Sequence, residues 1–91
     1  VAQTQPSIRT IMLRAAQAYA AGLIAVHNHP SGDPMPSEQD KLLTRDLVIA
    51  GRAMEIRVFD HLIVGDGRYF SFADEGLIEE YERQAIILGR A

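Results

Sequence analysis

The chain has 91 residues, no cysteine and a net charge of −3, with 47% apolar and 23% charged residues. This length fits one domain, and the composition excludes disordered proteins, disulfide frameworks, cysteine zinc sites and the strongly basic surface of most nucleic-acid-binding domains. The longest nearly uncharged stretch, residues 15–26, is too short to span a bilayer, and the default location is therefore cytoplasmic.

The first half of the chain predicts a helix, a strand, a loop and a second helix. Ser7 precedes apolar residues at i, i+3 and i+4 spacing, which indicates a capped helix over residues 7–21. Residues 23–26 form an uninterrupted apolar run, as expected for a strand covered on both faces. Three prolines within residues 30–36 predict a rigid loop, and Ser37 begins a helix whose apolar stripe continues to residue 54.

The second half predicts a hairpin and a terminal helix. Residues 56–64 are rich in strand-forming side chains, the turn sequence Gly-Asp-Gly follows at 65–67, and aromatic residues resume at 69. Apolar residues from Leu77 onward have helical spacing. Because no linker or repeat divides the sequence, we expect residues 1–91 to form a single domain.

His27, His29 and Asp40 form a pattern that is typical of a metal site. Two histidines at i and i+2 on an extended segment project to the same side, and a carboxylate in the first turn of the next helix can point back toward them. Two imidazole nitrogens and one carboxylate oxygen suit Zn²⁺ and leave a fourth position open. The alternative for Asp40 is a capping box with Ser37, and either histidine alone would more often be an ordinary hydrogen-bonded residue.

Two further sites have more than one interpretation. Ser37 is either a helix N-cap alone or also a catalytic hydroxyl donor to a substrate oxygen. The pair Asp60 and His61 most simply stabilises neighbouring loops by hydrogen bonding, with orientation of the metal ligands or an acid–base role as alternatives.

The sequence HNHPSGDP at residues 27–34, followed by Ser37 and Asp40, resembles the H-x-H-P…S-x-x-D pattern (JAMM motif) of the JAB/MPN metallopeptidases. With DHLIVG at residues 60–65, it is most similar to the bacterial RadC branch of that family. The resemblance implies an α/β fold in which a sheet is layered between helices, related to the cytidine deaminase fold. It also implies zinc on His27, His29 and Asp40, with Ser37 beside the reacting oxygen.

One family feature is missing from the chain. The family places a catalytic Glu on a strand well before the H-x-H motif, whereas here no carboxylate precedes Asp33. We therefore expect the carboxyl-terminal part of a RadC-like domain whose opening strands are missing, able to bind zinc and unable to hydrolyse peptides by itself.

The expected function is zinc-dependent hydrolysis of an unknown peptide or protein substrate. The alternative is a non-catalytic module associated with DNA or DNA repair, the role by which RadC proteins are traditionally described; the net negative charge argues against it. A zinc deaminase is disfavoured because neither its H-x-E motif nor its cysteine pair is present.

Overall fold

A computed structural model describes residues 6–89 and contains three helices and a three-stranded sheet. The elements in chain order are α1 (Ile8–Gln17), β1 (Gly22–Asn28), α2 (Glu38–Met54), β2 (Arg57–Gly65), β3 (Arg68–Ser71) and α3 (Leu77–Leu88). The central strand β2 is parallel to β1 and antiparallel to β3. The predicted α/β fold class is confirmed.

The parallel pair β1 and β2 is joined through helix α2, because parallel neighbours need a crossover connection. The chain leaves the sheet after β1, turns through the proline-containing loop, and re-enters regular structure at the start of α2. In the register of the two strands, His27 lies opposite Ile63 and Asn28 opposite Val64. The carboxyl ends of both strands therefore lie at the same edge of the sheet as the loop that leads into α2.

The hairpin turn predicted from Gly-Asp-Gly is present, and the ends of the first two helices agree with the prediction only in part. The hairpin between β2 and β3 turns through Asp66 and Gly67, whose φ angles of 52° and 72° are left-handed, as hairpin turns of two residues require. Helix α1 is shorter than predicted and ends at Gln17 rather than at residue 21, because Tyr19 adopts a left-handed φ of 53°. Helix α2 ends at Met54, as predicted, before a left-handed Glu55.

The hydrophobic core lies on one side of the sheet, between β2 and the helices. Its buried members come from all three helices, from β2 and from the α2–β2 and β3–α3 connections: Met12, Ala15, Leu47, Val48, Ile56, Val58, Ile63, Phe72, Ile78, Tyr81 and Ala85. Three polar side chains with almost no exposed surface accompany them: Asp40, Thr44 and His61. Asp40 and Thr44 lie in the first two turns of α2, and His61 lies in the middle of β2.

The covering of β1 differs from the prediction. Exposure alternates along this strand, and Ile24 and Val26 are 57% and 66% exposed. Successive strand residues face opposite sides of a sheet, so the helices cover only one face of β1 within residues 6–89. An uninterrupted apolar run predicts a doubly covered strand, but periodicity cannot distinguish a buried face from an apolar face left open.

Residues 6–89 contain no helix that combines the length and the apolar character needed to cross a lipid bilayer.

Candidate metal centre

The two histidines of the predicted site lie at the carboxyl end of β1. His27 is on the strand, and His29 follows it and continues the pairing, because its backbone N–H donates to the carbonyl of Val64 at 2.9 Å. Their ring centroids are 4.8 Å apart and the ring planes are nearly perpendicular. Both side chains are partly exposed, so a ligand or an ion can reach them from solvent.

Asp40 is the third residue of α2 and is 1% exposed. Its Oδ2 accepts the backbone N–H of Ser37 at 2.8 Å, and its own backbone N–H donates to the Ser37 Oγ at 3.1 Å. The capping box that the sequence left open as an alternative is therefore present. It orients the carboxylate, because one oxygen is fixed by the helix terminus while the group still faces the end of β1.

The same carboxylate lies against both histidines. Its Oδ1 is 3.2 Å from Nδ1 of His27, and its Oδ2 is 3.1 Å from Nε2 of His29. One atom from each of the three residues lies within 4.8 Å of the others, and these residues are the only such group of His, Asp or Glu found among residues 6–89. The capping role and a ligand role for Asp40 are thus compatible.

The tautomer of His29 follows from its second neighbour. Its Nδ1 lies 2.8 Å from the carbonyl oxygen of Asp33, and a carbonyl can only accept a hydrogen bond. Nδ1 therefore carries a hydrogen, and in the neutral ring Nε2 presents a lone pair toward Asp40 Oδ2. Two acceptors this close repel each other unless a proton or a cation lies between them.

A divalent metal ion fits this donor set. Tetrahedral Zn²⁺ with bonds of 2.0–2.2 Å places its ligand atoms about 3.3–3.6 Å apart. The two oxygens of Asp40 each lie 3.1–3.2 Å from one histidine nitrogen, and one ligand atom from each of the three residues lies within 4.8 Å of the others, so small side-chain adjustments bring them to this spacing. Two nitrogens and one oxygen match the ligand preference of zinc and of neighbouring transition metals. The cluster could therefore hold such an ion with one coordination position left for another group.

The electrostatics of Asp40 favour the charged carboxylate. Burial by itself raises the pKa of Asp40, but the hydrogen bonds from the Ser37 backbone and side chain, together with the positive charge that His27 and His29 can carry, outweigh burial. The net result is a pKa below the ordinary value. An ionised carboxylate beside two imidazoles is the charge state that a cation requires.

The loop between His29 and Asp40 is held against the hairpin by a close backbone approach. A Cβ at position 65 would lie 2.7 Å from the carbonyl oxygen of Gly32, so only glycine fits at Gly65. Gly32 has a left-handed φ of 85°, and its N–H donates to the carbonyl of His29 at 3.0 Å. This contact fixes the turn that directly follows the second histidine.

Ser37 lies exposed at the start of α2, next to the buried Asp40. Its side chain makes the capping contacts already described, and its predicted role toward a substrate oxygen stays a prediction. Glu38, the next residue, pairs with Lys41 at 3.3 Å, and its side chain is 87% exposed. It lies in solvent rather than against the histidines.

Asp60 and His61 lie on β2 and have different environments. Asp60 accepts hydrogen bonds from the Ser71 hydroxyl and the Ala73 backbone, so its predicted role in stabilising the neighbouring loop is confirmed. His61 is buried and contacts Thr44 of α2 at 2.6 Å. Sequence reasoning missed Thr44; its signal was a polar residue on the apolar stripe of α2, one helical turn after Asp40.

Comparison with known proteins gives one consistent family. Residues 1–77 match the family model of RadC-like JAB domains. A UPF0758 protein of Pelobacter propionicus is 50% identical over 70 residues, which are 77% of this chain and 31% of that protein. A UPF0758 protein of Porphyromonas gingivalis is 49% identical over 79 residues, 86% of this chain and 35% of that protein. The chain thus spans about a third of the length of the curated relatives it matches.

Proposed function

This chain belongs to the family of RadC-like JAB domains, and on that premise we propose that it holds a zinc ion through His27, His29 and Asp40 in a hydrolase that cleaves peptide or isopeptide bonds. The observation that carries the proposal is the contact of 3.1 Å between His29 Nε2 and Asp40 Oδ2, in which a neutral His29 presents a lone pair to the carboxylate. A cation between them turns this repulsive contact into coordination.

The residues of the proposed site would have separate roles in catalysis. When bound, zinc supplies Lewis-acid polarisation of a carbonyl and acidifies water. His27, His29 and Asp40 fix the ion, and Ser37 donates its hydroxyl to the substrate carbonyl oxygen. Proton removal needs a carboxylate from outside the described residues, because Glu38 is paired with Lys41 and the Asp33 carboxylate accepts the N–H of Met35 at 3.0 Å.

Metal content of purified variants tests the ion-binding part. The 91-residue chain should bind one equivalent of Zn²⁺, and His27→Ala, His29→Ala and Asp40→Ala should each lose stoichiometric zinc, since two donors bind it too weakly. Asp46→Ala is the matched control, because Asp46 is an exposed aspartate of the same helix whose nearest partner is Arg45. Retention of a full equivalent by His29→Ala in elemental analysis would contradict the assignment.

The hydrolase part has its own test. Residues 1–91 alone should bind zinc without hydrolysing peptides, and hydrolysis by them would direct attention to Glu38 or Asp33. The full-length protein should cleave peptide or isopeptide substrates with zinc and stop after chelation. A zinc-loaded full-length protein that cleaves no member of a peptide and isopeptide library would contradict the hydrolase. Salt-dependent DNA binding by that protein would then favour an accessory role.

The role of Ser37 can be separated from helix capping. Gly at an N-cap costs only a few tenths of a kcal/mol and has no side-chain donor, whereas Thr keeps both functions. We expect Ser37→Gly to reduce the turnover of the active full-length protein about 10²–10³-fold, with unchanged zinc content and nearly unchanged thermal stability, and Ser37→Thr to remain active. Equal turnover in Ser37→Gly and the unaltered protein would limit Ser37 to capping.

A further inference from the structure

A buried hydrogen bond joins helix α2 to the central strand one turn after Asp40. The Oγ1 of Thr44 lies 2.6 Å from Nδ1 of His61, and neither side chain has more than 1% of its surface exposed. A polar contact without access to water is strong when satisfied and costly when broken, so it fixes the two elements relative to each other. None of the proposed functions of the ligands or of Ser37 uses this pair.

The direction of the bond follows from the third partner. The hydroxyl of Thr44 has one hydrogen, and it donates to the backbone carbonyl of Asp40 at 2.7 Å. The oxygen of Thr44 must therefore accept from His61, which places a hydrogen on His61 Nδ1. The result is a chain of donors from His61 through Thr44 to the residue that carries the proposed metal ligand.

His61 is itself held firmly from several sides. Its backbone N–H donates to Asp60 Oδ1 at 2.7 Å, and its ring stacks on Phe72 with centroids 4.9 Å apart and planes 6° from parallel. The ring of His27 is the next neighbour, with centroids 6.2 Å apart and planes 17° from parallel. His61 thus contacts the strand end that holds one proposed ligand and is bonded to the helix turn that holds another.

We infer that Thr44 and His61 are positioning residues for the metal centre, which set the first turns of α2 against the end of β1 so that Asp40 meets both histidines. The inference rests on the metal binding proposed above. The proposed ligands come from the end of β1 and the start of α2, which a loop joins, and the His61–Thr44 bond ties α2 to β2, the strand that pairs with β1, independently of that loop. Without it, Asp40 keeps its capping box but loses its fixed distance to His27 and His29. The metal affinity then falls although every ligand is present.

A pair of Thr44 variants tests the inference. Thr44→Val keeps the shape of the side chain and removes the hydroxyl, whereas Thr44→Ser keeps the hydroxyl. Zn²⁺ affinity of the 91-residue chain, measured in competition with a chelator, should fall about 10–100-fold in Thr44→Val and stay within a few-fold in Thr44→Ser. The visible absorption of the Co²⁺-loaded protein should shift only in Thr44→Val, a change that a loss of stability alone would not produce.

A second pair keeps the test decisive if Thr44→Val does not fold. The side-chain amide of Asn can place an N–H near the position of Nδ1, whereas Leu cannot, so His61→Asn should bind Zn²⁺ more tightly than His61→Leu. A folded Thr44→Val with unchanged affinity and Co²⁺ spectrum, or His61 variants of equal affinity, would overturn the positioning role alone. Failure of the unaltered chain to bind Zn²⁺ would overturn the proposed metal centre itself.

Discussion

Asp40 and Asp60 are two aspartates in the same half of the molecule whose carboxylates have opposite surroundings. The hydrogen-bond partners of Asp60 are donors: its Oδ1 accepts the backbone N–H groups of His61 and Ala73 at 2.7 and 2.9 Å, and its Oδ2 accepts the Ser71 hydroxyl at 2.6 Å. These donors satisfy the carboxylate and tie β2 to the connection between β3 and α3. Asp60 is complete as a structural residue.

Asp40 receives a hydrogen from the helix terminus and lies against two imidazoles. The N–H of Ser37 donates to its Oδ2, while His29 approaches the same oxygen with the nitrogen that carries no hydrogen in the neutral ring. The contrast teaches that a buried carboxylate whose contacts are donors stabilises the fold, whereas one that lies against imidazole nitrogens has surroundings in which a proton or a cation can bridge the groups. Burial alone does not distinguish the two.

The largest contrast is expected from equal substitutions at the two positions. Asp40→Asn should lose stoichiometric zinc, because a neutral amide is a poor ligand, whereas Asp60→Asn should retain it. Both proteins should stay folded, since Asn can still accept the N–H of Ser37 at the cap. Zinc measured by elemental analysis after gel filtration tests this, and equal zinc loss in both variants would remove the distinction.

The order should reverse for the stability of the metal-free protein, to which Asp60 should contribute more than Asp40. Asp60→Asn replaces a charged acceptor of three hydrogen bonds and turns an NH₂ group toward a donor, so we expect the free energy of unfolding of the metal-free protein to fall by about 2–4 kcal/mol. Urea unfolding measures the loss. Asp46→Asn, on the exposed side of α2, serves as the control and should change it by less than about 0.5 kcal/mol. A loss no larger than in this control would mean that Asp60 is dispensable.

Acid should lower the stability of the metal-free protein, because the buried His61 resists protonation in the folded state. Burial, followed by the nearby His27, lowers the pKa of His61 from 6.5 to about 4. The unfolded chain therefore binds a proton at a higher pH than the folded one, and metal-free protein should lose up to about 3 kcal/mol of stability as the pH falls from 6.5 to 4, with the full contribution present above 6.5. Urea unfolding at several pH values measures the slope, and His61→Asn should flatten it.

The smallest effect is expected from removing the metal. The proposed ligands lie at the end of β1 and the start of α2, while the core is built from other side chains. Chelation should therefore leave the far-UV circular dichroism spectrum unchanged and lower only the thermal midpoint, by mass action. A loss of helical signal after chelation would show that the fold depends on the ion. His27, His29 and Asp40 would then stabilise the fold through the ion, as Asp60 does through its hydrogen bonds.

Much of the fold and the composition of the site could be predicted from local sequence signals. The spacing of His27 and His29 places both on one side of an extended chain, and Ser37 with Asp40 specifies a capping box; both are properties of a few neighbouring residues. The helices and the hairpin followed from periodicity and turn residues in the same way. The end of α1 was missed because Tyr19 adopts a left-handed conformation that its residue type does not signal.

The tertiary structure decided what these residues meet. The approach of Asp40 to the histidines spans a loop and two elements, the carbonyl of Asp33 fixes which nitrogen of His29 carries the hydrogen, and the bond from His61 to Thr44 joins residues far apart in the chain. Such contacts depend on the crossover and on helix packing, which no short-range pattern encodes. For the same reason the sequence could name the candidate ligands, while only the fold showed which carboxylate lies against the two imidazoles and which accepts hydrogen bonds from a neighbouring loop.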